Sequence, residues 1–231
     1  MKNNSNTSLL KHPKAWIYVV ASLALLSLIW PPVGAFFILP VAFIPLLLLQ
    51  DTWQQQGASP WRYRFTVLGV ALAWNTLAGF WILVTQPTAA LITYITYAFL
   101  VTLPFSLYDL AKRKMGLRWG LILWIASYGV YEWFAQNWSL AYPLFSLSTP
   151  MGSAPYLIQW IEYTGWLGAT LWILGLNAVG LVFLSQRRGG NRLSSPQRIA
   201  LLLLVIAPLL FSLIRYFSYT PSTKTIEVLC M

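Results

Sequence analysis

The chain has 231 residues, of which 58% are hydrophobic and only 9% charged, and its formal net charge is +10. A soluble globular domain carries about 25% charged residues, so most of this chain is expected to lie in lipid. The positive charge does not mark a nucleic-acid binder, because the basic residues fall between apolar segments of membrane-spanning length, where they set orientation.

The single cysteine, Cys230, rules out an internal disulfide, and no residues stand at metal-ligand spacing, so neither a metal nor another cofactor is expected. The only histidine, His12, sits in a polar leader, residues 1–14, with Lys2, Lys11 and Lys14. An apolar run over 15–30 follows. It ends in Trp30-Pro31-Pro32 without a small-residue cleavage motif, so it reads as an uncleaved first helix and not as a signal peptide. A second helix is expected over 33–50, kinked at Pro40 and Pro45. Residues 51–64 read as a polar loop.

A third helix is expected over 65–85, with Asn75 at membrane depth. An interhelical hydrogen bond, worth about 0.6 kcal/mol, is the preferred role of that amide over ligand contact. Gln86-Pro87-Thr88 reads as a tight turn, residues 89–110 as a fourth helix and 117–136 as a fifth. The fifth ends in Tyr131-Glu132-Trp133-Phe134. Glu132 is placed about one turn from the interface, within reach of water. An intramembrane carboxylate is by default a candidate for function.

Residues 137–158 carry no charge but many aromatic and proline residues, and suit a segment lying along the membrane surface. The sixth helix, within 159–184, opens with a carboxylate at Glu162 and with Trp160, Tyr163 and Trp166, aromatic side chains that suit a membrane–water interface. Gly165, Gly168, Ala169 and Gly175 would let a neighbouring helix come close. A basic loop over 186–197 leads to a seventh helix over 198–219. Residues 225–231 alternate like the start of a strand, with Cys230 a core position of that strand.

The string Glu162-Tyr163-Thr164-Gly165, followed by Gly168, Thr170-Leu171-Trp172-Ile173 and Asn177, resembles the penultimate-helix signature of apolipoprotein N-acyltransferases. These are bacterial inner-membrane enzymes that add the last acyl chain to lipoproteins. The Gly79-Phe80-Trp81-Ile82 string, the Glu132-Trp133 pair and the Tyr142-Pro143-Leu144-Phe145-Ser146-Leu147 segment resemble that family in the same order. The resemblance implies an all-α, polytopic membrane helix bundle over 15–219, with 220–231 as the start of a periplasmic hydrolase-like domain. In the family that domain holds the acylated cysteine, a glutamate base and a lysine at the oxyanion, as acyl transfer requires. These 231 residues supply no such set, so no catalytic residue carries over.

Seven spans put Arg215 and Lys224 on one side and all the other of the 15 lysines and arginines on the opposite side. By the positive-inside rule the N-terminus is cytoplasmic. Asp51 and Asp109 then fall inside, where they are expected to pair with nearby basic groups. Glu132, Trp133, Glu162 and Tyr163 are expected to converge with the 142–147 segment on the outer face, joined there by Thr164 and Gly165. The helix dipole would favour Glu162 in a first turn by about 0.3–1 kcal/mol.

Three readings follow. The first is the membrane part of an N-acyltransferase, inactive alone or active with a separately encoded hydrolase half. The second is a lipid-binding or scaffold protein without catalysis. The third is a small transporter, which the placement of the carboxylates at helix ends disfavours. The partners expected are membrane phospholipid and, by resemblance, a diacylated lipoprotein.

Overall fold

The computed structural model describes residues 13–138, 145–188 and 194–219. They form helices throughout, with no strand among the described residues: α1 Pro13–Leu28, α2 Ile44–Gln55, α3 Pro60–Ala78, α4 Phe80–Thr85, α5 Pro87–Met115, α6 Leu117–Gln136, α7 Ile161–Arg188 and α8 Ser195–Ser218. Short 3-10 turns stand at Phe36–Val41, Thr149–Ser153 and Pro155–Leu157. The leader and the 220–231 strand reading lie outside the described residues, as do Tyr142 and Pro143.

Among the described residues four segments are long and apolar enough to cross a membrane: Phe36–Gln55, Pro87–Met115, Ile161–Arg187 and Leu201–Ser218. Ala15–Leu28 is apolar but shorter.

Proline and glycine place the breaks. The expected second helix splits into a 3-10 turn containing Pro40 and then α2, where Pro45 occupies a first-turn position that needs no N–H donor. The expected polar loop over 51–64 shrinks to residues 56–59. Its turn is made by Gly57 at φ 66, and Pro60 starts α3 with a preset φ. The expected third helix is interrupted at Gly79. A side chain there would meet the rings of Phe145 and Tyr94 at 3.0 and 3.1 Å. The Gly79 carbonyl accepts the Tyr94 hydroxyl, and Asn75 Nδ2 donates to the Tyr94 carbonyl at 3.2 Å. Asn75 therefore makes the interhelical bond expected of it.

The core is aromatic. The Phe43 ring lies 5.7–6.4 Å from those of Trp74, Phe105, Trp124 and Tyr128. Helix α5 packs along α6 and α3, and α1 packs against α2 and α3. Helix α7 closes the other side through α6 and the Phe36–Val41 turn, and α8 lies outermost with almost none of its span buried.

The opposite end of the bundle carries a polar cluster. Lys112 pairs with Asp51, Arg113 Nε meets Asp109 at 2.7 Å, and Gln50 Nε2 donates to Asp109 at 2.7 Å. The pairing expected of the two aspartates is thus found, and these contacts hold α2 helical past residue 50.

Candidate functional site

Glu132 lies in α6 where the helix meets the 145–148 segment. Its side chain is 2% exposed, so it does not reach water as its place near the helix end had suggested. One carboxylate oxygen accepts the Leu147 backbone N–H at 2.8 Å. The other accepts the Ser146 hydroxyl at 3.0 Å and the Thr170 hydroxyl of α7 at 2.5 Å. Three donors from two other parts of the chain satisfy this buried group, as a buried carboxylate requires. The cavity beside it measures about 10 Å³, at the lower limit for one water. Glu132 is therefore a clamp that joins α6, the loop and α7, and it has no room for a ligand. Tyr97 reinforces the clamp: its hydroxyl donates to the Ala135 carbonyl at 3.2 Å and its ring lies 5.5 Å from that of Phe145.

Trp133, the next residue, points outward and is exposed. Glu162 stands in the first turn of α7 and also faces outward, where its Oε2 lies 3.5 Å from Nε of Arg215 on α8. Tyr163 is exposed and packs edge-on against Phe211 of α8 at 5.6 Å. The Thr164 hydroxyl bonds to the Trp160 carbonyl at 3.5 Å. Gly165 has φ 68, a backbone state that side chains disfavour, and it kinks α7 there.

The structure thus brings Glu132 together with Ser146 and Leu147, and sets Glu162 and Tyr163 against α8. Glu132 and Glu162 share no partner among the described residues. One is enclosed and the other exposed, although both stand at the same end of the bundle.

Gly165, Gly168 and Gly175 of α7 do not act as expected, while Ala169 is fully buried. A side chain at Gly165 or Gly175 would meet nothing within 4 Å, and one at Gly168 would meet only Thr164 of the same helix. The close approaches lie elsewhere. A side chain at Gly129 would meet Leu171 at 3.1 Å, and one at Gly180 would meet Ile44 at 2.7 Å.

Two further α7 residues satisfy backbone groups left open near prolines. Asn177 inserts its amide between Leu39 and Phe43. Its oxygen accepts the Phe43 N–H at 2.9 Å, and its nitrogen donates to the Leu39 carbonyl at 2.8 Å. In a continuous helix those two groups would bond each other. Trp172 donates its indole N–H to the Leu204 carbonyl at 2.7 Å. That carbonyl lacks its helical donor because position 208 is proline. The sequence carried a signal for both roles. Pro208 follows Leu204 by four residues, and Asn177 is polar within an apolar run. Among the described residues no group of three or more His, Cys, Asp or Glu is placed to hold a metal.

An all-helical bundle with membrane-length apolar helices, buried carboxylates held by hydrogen bonds and one end closed by a clamped loop defines a multi-pass membrane protein. Residues 22–179, more than half of the chain, match the apolipoprotein N-acyltransferase N-terminal domain family, and the chain belongs to that family. No curated protein and no solved structure matches it significantly.

Proposed function

We propose that this chain is the membrane domain of a lipoprotein N-acyltransferase in a bacterial inner membrane, acting in phospholipid-to-apolipoprotein acyl transfer. The family match supports the assignment. Seven passes are proposed: α1, the Phe36–Gln55 segment, α3 with α4, and α5, α6, α7 and α8 one each. The distribution of basic residues favours a cytoplasmic N-terminus. The Glu132 end of the bundle then faces outward.

The observation that carries the mechanistic part is the clamp at Glu132. A loop rich in proline and aromatic side chains, with no charge, would be a poor platform if loose. Three hydrogen bonds to one buried carboxylate fix its Ser146–Leu147 stretch to α6 and α7. A fixed outer surface is what a hydrolase-like catalytic domain needs for docking. Loss of orientation at such a surface costs rate even when no reacting group is touched. The residues of this chain thus position a catalytic domain and admit phospholipid and the diacylated lipoprotein. The nucleophile, base and oxyanion donors come from elsewhere, in the same chain or a separately encoded half.

The test is complementation. In cells depleted of their own enzyme, these 231 residues are expected to leave lipoprotein N-termini diacylated by mass spectrometry. Supplying the hydrolase domain with them is expected to restore the third chain. Restoration by these residues alone would overturn the division of labour. Strong labelling from outside of a cysteine placed at Gly190 would refute the orientation.

A further inference from the structure

Helix α8 is held to the rest of the molecule at separated points. Trp172 reaches Leu204, Tyr163 meets Phe211, Arg215 meets Glu162, and the Tyr156 and Tyr216 rings lie 6.4 Å apart. Beside this string of contacts lies an apolar cavity of about 240 Å³, lined among others by Phe36, Leu39, Met151, Ile173, Val205 and Leu209. One water takes up roughly 30 Å³ of liquid, and an apolar cavity does not hold water. Left empty, the lining would forfeit its contacts on one side. Both helices beside it are long and apolar enough to cross a membrane. The molecules surrounding such a gap are lipid chains, whose methylenes fill it without any polar cost.

The headgroup level above the cavity is also marked. Tyr163, Tyr216 and Tyr219 are exposed at this end, where tyrosines settle at a membrane interface. Arg215 and Glu162 stand at the same level with side chains 40% and 57% exposed, in a loose contact at 3.5 Å. Leu209 precedes Arg215 by six residues, roughly 9 Å along a helix. Val205 precedes Arg215 by ten residues, roughly 15 Å, so the cavity extends from within the same leaflet to about the middle of a hydrocarbon core about 30 Å thick. Arg215 offers a phosphate its fork of guanidinium donors, and Glu162 offers an ammonium its carboxylate.

We propose that one phospholipid with a zwitterionic headgroup is bound between α7 and α8, an acyl chain filling the cavity and the headgroup bridging Arg215 and Glu162. The lipid completes the packing of α8, which the protein alone leaves open. This binding does not depend on acyl transfer, and its test reads retention of lipid, not transfer.

The test is native mass spectrometry of the purified chain in detergent, titrated with dioleoylphosphatidylethanolamine. One lipid is expected to survive activation that strips the others. Val205→Phe fills the cavity from a peripheral helix and is expected to weaken retention by about ten-fold or more, since each buried methylene is worth roughly four-fold in affinity. Arg215→Gln, at an exposed position that the bundle tolerates, is expected to weaken it by about three-fold. No retained lipid in the unaltered chain, or wild-type retention by either variant, would overturn the proposal. Equal retention throughout would show only a loose lipid annulus.

Discussion

The Glu132 corner and the Glu162 corner stand at the same end of the molecule, on consecutive long helices, and each centres on one carboxylate. Glu132 is enclosed by three donors drawn from the loop and from α7. Glu162 has one loose cationic partner and an open side. The difference teaches that a carboxylate near a helix end has no fixed meaning in a membrane protein. What decides is whether the following chain folds back over it. After Glu132 the 145–148 segment does so. Glu162 instead finds its partner on α8, the least buried of the four membrane-length segments among the described residues.

This comparison is broken most directly at Glu132. Replacing it with Leu leaves the Leu147 N–H without an acceptor and frees two hydroxyls. The hydroxyls can turn to backbone carbonyls, but the N–H cannot. A loss of about 3 kcal/mol of stability is expected, measured by unfolding in mixed micelles or by steric trapping. Glu132→Gln keeps one acceptor oxygen for Leu147 and should cost less, about 1 kcal/mol. Equal losses for the two variants would mean that burial, not the hydrogen bonds, holds the loop.

The α7 repairs come next in size. Asn177→Leu leaves the Phe43 N–H without its acceptor in a region without water, and leaves the Leu39 carbonyl only the Ala42 N–H at 3.4 Å. About 2 kcal/mol is expected, together with faster amide exchange at Phe43. Trp172→Phe removes one bond to the Leu204 carbonyl and should cost about 1 kcal/mol. The sharper measurement is a double-mutant cycle. In a Pro208→Ala background residue 208 has its own N–H for that carbonyl, so most of the Trp172→Phe cost should vanish. Simple additivity would show that the indole matters for packing alone.

The apolar runs and their punctuation made the helices legible. The fifth expected helix, over 117–136, matches α6 at Leu117–Gln136. Pro40 and Pro45 marked as a kink what is a break before α2, whereas Pro60, which starts α3, fell inside the stretch read as a loop and the helix was expected only from residue 65. What was not legible required a partner distant in sequence. Gly79 reads as an ordinary glycine until Phe145 and Tyr94 are found against it. Asp51 looks like a loop residue until α5 supplies Lys112. Glu132 looked shallow because its depth depends on Ser146, Leu147 and Thr170, and the pattern of α6 says nothing about these. Of the residues expected to converge, Glu132 meets the loop, while Glu162 and Tyr163 meet α8. Three glycines of α7, at 165, 168 and 175, misled for a physical reason. Close approach needs a small residue facing a neighbour, and Gly165 and Gly175 face none, whereas Gly129 and Gly180 do.

The smallest expected effect is the most informative about what Glu162 is for. Its side chain is 57% exposed and its contact with Arg215 is loose. Exposed ion pairs are worth roughly 0–1 kcal/mol and weaken further with salt. Glu162→Gln should therefore change stability by no more than about 0.5 kcal/mol and leave membrane insertion intact, with any difference gone at high salt. The same change at Glu132 is expected to be larger at every salt concentration, because that carboxylate's partners are enclosed and unscreened. A salt-insensitive loss at Glu162 as large as that at Glu132 would erase the contrast and point to a second buried clamp. If instead the Glu162 change is silent in stability, it can be read cleanly in an intact enzyme of the family. Impaired acyl transfer with unimpaired insertion would then assign this exposed carboxylate to contact with a lipid or a docked domain. Unimpaired transfer would leave it as the charge that sets the helix end at the membrane surface.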